Sequence, residues 1–217
     1  SEADICLLID AEESWMQESC DVLVEEMMAK YNKDRAIVFN TIQCYRWDRL
    51  DYVKVLHKDA QEKGYIPGVK IVRGAYMEKE RKRANEELYD SPICKDKFET
   101  DAHFNAVMSY CLDNLDDIWM FIGSHNEESN YLAMELMNQK GIENNDPRVW
   151  FGQLYGMSDH ITYNMAAEGY NMSKYLPFGK VKNVMPYLMR RAEENTSVAG
   201  QTNRELTLLQ KERKRRD

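Results

Sequence analysis

Six short apolar runs, spaced by longer amphipathic stretches, constrain this chain more than any other feature of its 217 residues. Ile5-Cys6-Leu7-Leu8-Ile9, closed by Asp10, reads as a buried strand, and Ala36-Ile37-Val38-Phe39-Asn40-Thr41-Ile42, closed by Gln43, as a second. Val69 to Arg73 runs into Gly74, Ile118 to Gly123 stops at Ser124-His125-Asn126, and Val149 to Leu154 and Met172 to Tyr175 complete the set. Near-continuous apolar strands without strict alternation suit a parallel sheet covered on both faces. Between them, apolar residues recur at helical spacing over Ser19 to Lys30, Arg49 to Lys63, Asp101 to Asn114, Glu127 to Lys140 and His160 to Glu168, with Gly141 placed to cap the fourth.

Alternating strand and helix predicts an α/β parallel architecture. No G-x-G-x-x-G follows the first strand, which weakens a dinucleotide-binding doubly wound reading. Polar residues instead gather where strands end, at Asp10, Gln43, Arg73, His125 and Gln153. A (β/α)8 TIM-type barrel keeps its active site at that end of its strands, but it needs eight βα units and typically about 250 residues. The expectation is therefore a single domain over 1–217 with about six of the eight units, N-terminally incomplete, ending in a helical or frayed basic tail over 196–217.

The net charge of −8 disfavours nucleic acid as a partner, and the short basic run Lys211 to Arg216 reads as a solvated helix end. No apolar run approaches the ~18 residues of a membrane span. The five cysteines stand far apart, with no C-x-x-C, and the four histidines lack metal-ligand spacing, so neither a disulfide framework nor a metal site is expected.

The segment Pro186 to Asn195 sets Tyr187, Arg190 and Glu194 on one side of a helix. Guanidinium, carboxylate and phenol on one stripe suit a small zwitterion, with arginine taking a carboxylate, Glu194 an ammonium and the ring an apolar body. The alternative is an exposed helix with an ordinary ion pair.

Read together, seven segments resemble the flavin-dependent proline dehydrogenases, including the matching domain of the bifunctional proline utilisation proteins. They are Ile9-Asp10-Ala11-Glu12-Glu13, Gln43-Cys44-Tyr45, Lys70 to Tyr76, Ser124-His125-Asn126, Gln153 to Met157, Lys174 to Gly179, and the Arg190-Arg191 helix. The resemblance runs from about Leu7 to Arg204. It implies FAD bound at the strand C-termini, oxidation of L-proline to Δ1-pyrroline-5-carboxylate by hydride transfer to flavin N5, and electron delivery to a quinone.

Residue by residue, the resemblance implies a catalytic setting for Asp10 and Lys70, Lys70 being the cation beside flavin N5. It implies cofactor contacts for Ala11, Gln43, Lys70, Val72, Arg73, Gly74, Ala75, Ser124, His125 and Asn126, with Met77 and Gln153 as weaker candidates. Tyr175, Tyr187, Arg190, Arg191 and Glu194 would hold the substrate. Arg73 would meet the cofactor's phosphates, and Gly74 would let the backbone approach it. Other readings stay open at single positions: Asp10 as the cap of the following helix, Lys70 as a solvated lysine, Gln43 as a polar strand end, His125 as a structural hydrogen-bonding residue, and the tyrosines as core rim.

The family carries a further substrate-site lysine on a strand upstream of the Asp10 strand, which this sequence does not include. The rival readings are a truncated, non-catalytic barrel remnant paired through its sheet edges, and a related flavoenzyme acting on hydroxyproline. The resemblance leaves room for peripheral membrane association and a homo-oligomer. It places bacterial members in the cytoplasm or at the inner membrane and eukaryotic ones in mitochondria.

Overall fold

The computed structural model describes residues 5–197, 207 and 210–216, without the side chains of residue 190 and of residues 192–197. Strands and helices alternate as β1 (Leu7–Ile9), α1 (Ser14–Tyr31), β2 (Val38–Gln43), α2 (Arg49–Lys63), β3 (Gly68–Val72), α3 (Met77–Glu87), α4 (Lys97–Asp113), β4 (Trp119–Gly123), α5 (Glu127–Gln139), β5 (Val149–Leu154), α6 (Asp159–Ala167), β6 (Met172–Tyr175) and α7 (Val181–Ser197). The strands form one sheet in sequence order, every neighbouring pair parallel. Each crossover must return the chain to the same end of the sheet, which is the work the helices do.

Side chains alternate across the sheet, and the register separates two faces. Val69, Ile71, Met120, Ile122, Val149 and Phe151 carry one face and are wholly buried, along with Phe104, Val107 and Met108 of α4. The opposite, inner face carries the row Thr41, Lys70, Phe121 and Trp150, aligned strand to strand. Here the packing is small against large. A Cβ on Gly152 would lie 2.4 Å from the Phe121 ring, and one on Gly68 would meet the Phe39 ring at 2.8 Å. The inner face is the wetter one, with Trp150 40% exposed.

Local signals account for the helix ends. Asp96 caps α4 through Glu99 N at 2.8 Å, and Asn126 caps α5 through Ser129 N at 2.9 Å. Gly64 ends α2 in the left-handed region, and Gly141, at φ 67°, follows α5 in the same conformation.

Three expectations need correction. The first apolar run is not a buried strand: pairing begins at Leu7, which is 57% exposed because β1 lies at the sheet edge. α1 starts at Ser14, five residues ahead of the expected Ser19. α3 went unread because it is almost wholly polar, with only Glu80 and Ala84 buried. Of the tail, residues 207 and 210–216 are helical.

Candidate active site

Every strand ends at the same side of the sheet, and the polar residues expected at a site collect there. Asp10 is the first residue past β1. Its carboxylate pairs with the Lys70 ammonium and takes a long bond of 3.5 Å from Thr41 Oγ1 of the intervening strand. The Lys70 side chain is 16% exposed and that of Asp10 57%, so a half-sunk cation meets a more open carboxylate. Asp10 does not cap α1. That position belongs to Glu13, which makes no side-chain capping bond.

The role of cap passes to a distant residue. Glu80, fully buried on α3, accepts from Ser14 N and Ser14 Oγ, each at 2.6 Å. Lys79 pairs with Glu13, and the Tyr76 hydroxyl donates to Glu12. Tyr76, Lys79 and Glu80 stand at i, i+3 and i+4, so one face of the first turn of α3 holds three successive residues after β1. That hydrogen bond to Lys79 is the main reason the Glu13 carboxyl lies below its usual range. Sequence spacing gave no signal for Glu80, because its partner is 66 positions away.

Gln43 is buried and donates from Nε2 to the Glu12 carbonyl at 2.7 Å, fixing the same loop from β2. Val72 is half-buried and shares the inner-face parity of Lys70. Ala11 is half-buried in the loop after Asp10, and Ala75 and Met77 are exposed beyond β3. Arg73, expected at an anionic phosphate, has the opposite parity and turns toward the helices. Its Nε donates to Asp101 (2.7 Å), Nη1 to Ser124 Oγ (2.9 Å) and Nη2 to Ser129 Oγ (3.0 Å), with the guanidinium 4.5 Å over the Phe104 ring. Its fork is occupied by protein oxygens that tie α4 and α5 to the strand ends. Gly74 has φ 128°, and a Cβ there would sit 2.5 Å from the Tyr45 ring. The glycine is required by its own neighbour.

Ser124 is buried, and its hydroxyl also accepts from Asn126 N at 3.1 Å. His125 sits between two strand ends. Its Nε2 accepts from Leu154 N at 3.4 Å, so Nδ1 carries the hydrogen and donates to Ser158 Oγ at 2.9 Å. Ser158, which the sequence did not mark, takes a left-handed conformation at φ 53° just before α6. Burial pushes His125 down to about 4, and the Lys174 and Arg191 cations push the same way. Gln153 faces the helical layer, accepting from Thr162 of α6 at 2.8 Å and donating to the Ser124 carbonyl at 3.2 Å, which removes it from the mouth.

At the end of β6, the Tyr175 ring meets that of Tyr187 edge-on at 5.5 Å, and the Arg191 guanidinium lies 5.3 Å over the Tyr187 ring. The structure thus brings Tyr175, Tyr187 and Arg191 together. Arg190 and Glu194 share α7 with Tyr187 and Arg191, but their side chains fall outside the described residues. The strand ends therefore combine a paired cation, a neutral imidazole and an aromatic wall carrying a guanidinium. Among the described residues no His, Cys, Asp and Glu grouping could hold a metal ion, and no helix is long and apolar enough to cross a membrane.

This arrangement has known counterparts. The family model for proline dehydrogenase matches residues 1–204. Proline dehydrogenase 1, mitochondrial, of Drosophila melanogaster is 38% identical over 226 residues, covering 100% of this chain and 33% of the relative. Hydroxyproline dehydrogenase of Xenopus laevis is 37% identical, covering 97% of this chain and 46% of the relative. Proline utilization A from Bdellovibrio bacteriovorus, solved after inactivation by N-propargylglycine, superposes with a TM-score of 0.84 at 28% identity, over 91% of this chain and 21% of that one. The chain thus spans a third to a half of the length of these two curated relatives. By its sequence over nearly its whole length, the chain belongs to the proline dehydrogenase family.

Proposed function

We propose that the protein carrying this chain oxidises L-proline to Δ1-pyrroline-5-carboxylate with FAD, passing electrons to a quinone. In this reading residues 1–217 form one domain, and the six-stranded sheet belongs to a (β/α)8 barrel. Support comes from one juxtaposition: the Asp10–Lys70 pair on the inner face, at the strand ends where β6 leads to Tyr175, Tyr187 and Arg191.

The donor set fits an anionic dinucleotide. Arg191 bears on His125 from α7, whereas Lys174 is paired with Asp159 of α6 at 2.8 Å. Lys70 adds a half-buried ammonium on the inner wall. FAD, when bound, supplies the two-electron acceptor. Lys70 holds a fixed positive charge where electron density accumulates, and Asp10 fixes the direction of that ammonium. Ala11, Gln43, Val72, Gly74, Ala75, Ser124, His125 and Asn126 line the strand ends around it, the neutral His125 ring held between Ser158 Oγ and Leu154 N. Arg191 and Arg190 take the substrate carboxylate, Glu194 its ammonium, and Tyr175 with Tyr187 pack the ring and exclude water.

Quinone delivery brings this protein to a membrane surface, as a homo-oligomer, in the mitochondrion if its source is eukaryotic. The hydroxyproline reading is favoured by the Xenopus laevis relative. Whole protein loaded with FAD under anaerobic conditions tests both. L-proline is expected to bleach the flavin band near about 450 nm. Bleaching by hydroxyproline alone gives the second reading, and no bleaching by either overturns both.

A further inference from the structure

His125 is held at the strand ends by a residue that does not touch it. Residues 155–158 join β5 to α6, and Ser158, the last of them, is buried and left-handed at φ 53°. A residue other than glycine keeps that conformation only where its surroundings over-determine it.

Here the surroundings do so through Lys174. On β6 it is the register partner of Gln153, so it shares the sheet face that meets the helices. Its ammonium donates to the Met157 carbonyl at 2.6 Å and lies 2.8 Å from the Asp159 carboxylate, so one group grips the chain on either side of Ser158. From α6, Ile161 N and Thr162 N donate to the Ser158 carbonyl at 3.0 and 3.2 Å. The Lys174 side chain is 18% exposed, a burial that lysine tolerates when its charge is paired.

The consequence reaches the imidazole. Leu154 N can only donate, so Nε2 of His125 accepts from it and Nδ1–H needs an acceptor of its own. Ser158 Oγ, 2.9 Å away, is that acceptor. Were Ser158 to leave the left-handed region, its hydroxyl would swing off and strand a half-buried N–H, and the ring would turn or move its proton. We propose that Lys174 is a positioning residue: by bracketing Ser158 it holds the hydroxyl that fixes the tautomer and orientation of His125. This deepens the reading of His125 as a cofactor contact and rests on it.

The test is nitrogen-15 NMR of the whole protein labelled at histidine, at pH 8 and without flavin, with His125→Asn identifying the signal. At that pH a histidine is neutral even with an unperturbed pKa, so removal of the Lys174 charge is not itself read. The parent should show one form, protonated at Nδ1. Ser158→Ala and Lys174→Met should each give a mixture, and Lys174→Arg, which can reach the same two oxygens, should restore the single form. FAD titrated into the same proteins should bind about tenfold more weakly to Ser158→Ala and Lys174→Met. An unchanged single tautomer in Lys174→Met overturns the proposal. A mixture with unaltered FAD affinity supports the positioning and instead removes His125 from the cofactor's contacts. Should Lys174→Met fail to fold, Asp159→Asn loosens the same bracket at an exposed carboxylate, and an unchanged tautomer there overturns the proposal.

Discussion

The Asp10 carboxylate and the Lys70 ammonium meet across a strand that belongs to neither. Asp10 follows β1 and Lys70 lies on β3, while Thr41 of β2 is the register partner of Lys70 and donates to Asp10. The pair is thus fixed by three strands, and its cation is the less exposed partner.

Replacing that cation separates catalysis from folding. Lys70→Met leaves a carboxylate that is already 57% exposed and readily hydrated, so stability falls by less than about 1 kcal/mol. Loss of a preorganised charge at the reacting centre costs on the order of 100-fold in kcat/KM, with Lys70→Arg retaining most of it. Thermal melts and steady-state kinetics of the whole protein measure the two effects. A large drop in Tm with an unchanged rate would make the lysine a structural residue.

His125 links stability to pH. Its folded-state value is pushed down to about 4, chiefly by burial, whereas an unfolded histidine takes a proton near pH 6.5. Between those values the unfolded chain binds a proton that the folded chain refuses. The contribution is whole above about pH 6.5 and is lost as pH falls toward about 4, on the order of 3 kcal/mol in all. Urea denaturation of His125→Asn between pH 7 and pH 4 should give a flatter stability profile than the parent by about that amount. Parallel profiles would sink the assignment.

Leu88 ends α3 in the left-handed region at φ 57° and is 91% exposed. It strains the backbone and buries almost nothing in return. Leu88→Gly relieves a conformation that costs an L residue about 1–2 kcal/mol, offset by glycine's freedom in the unfolded chain. A net gain of about 0.5–1 kcal/mol in denaturant unfolding is expected, without change in kinetics. A loss would show that the side chain packs in a way its exposure denies.

Glu80 and Ser14 are expected to be coupled. Glu80→Ala strips a partly buried backbone N–H and a hydroxyl of their acceptor, costing about 1–3 kcal/mol. Ser14→Ala removes only the hydroxyl bond. A double-mutant cycle should return an interaction of at least about 0.5 kcal/mol, and strict additivity would refute it.

The periodic elements were legible in the sequence. The ends of β5 at Val149 and Leu154, and of α2 at Arg49 and Lys63, coincide with those read from apolar spacing, because buried runs and a terminal glycine mark both. Helix α3 was not, since Glu80 hides among charges that pattern reading assigns to solvent. The site was legible as a set of strand-end residues, while its wiring was not. That Arg73 answers Asp101, Ser124 and Ser129, or that His125 answers Ser158, depends on side-chain parity and on partners 28 to 56 positions away. No local motif carries that information.

The clamp from α3 also bears on the order in which the chain takes shape. Glu12, Glu13 and Ser14 leave the ribosome 64 to 66 residues ahead of the side chains that grip them. Until Tyr76, Lys79 and Glu80 have emerged and coiled into a helical turn, the loop holding Asp10 has only its ties to β2, from Gln43 and Thr41. The first strand is made early, yet its loop gains this anchorage only after the third strand has been synthesised. Stalling synthesis between these points would leave a nascent chain whose Asp10 loop is tied to β2 alone.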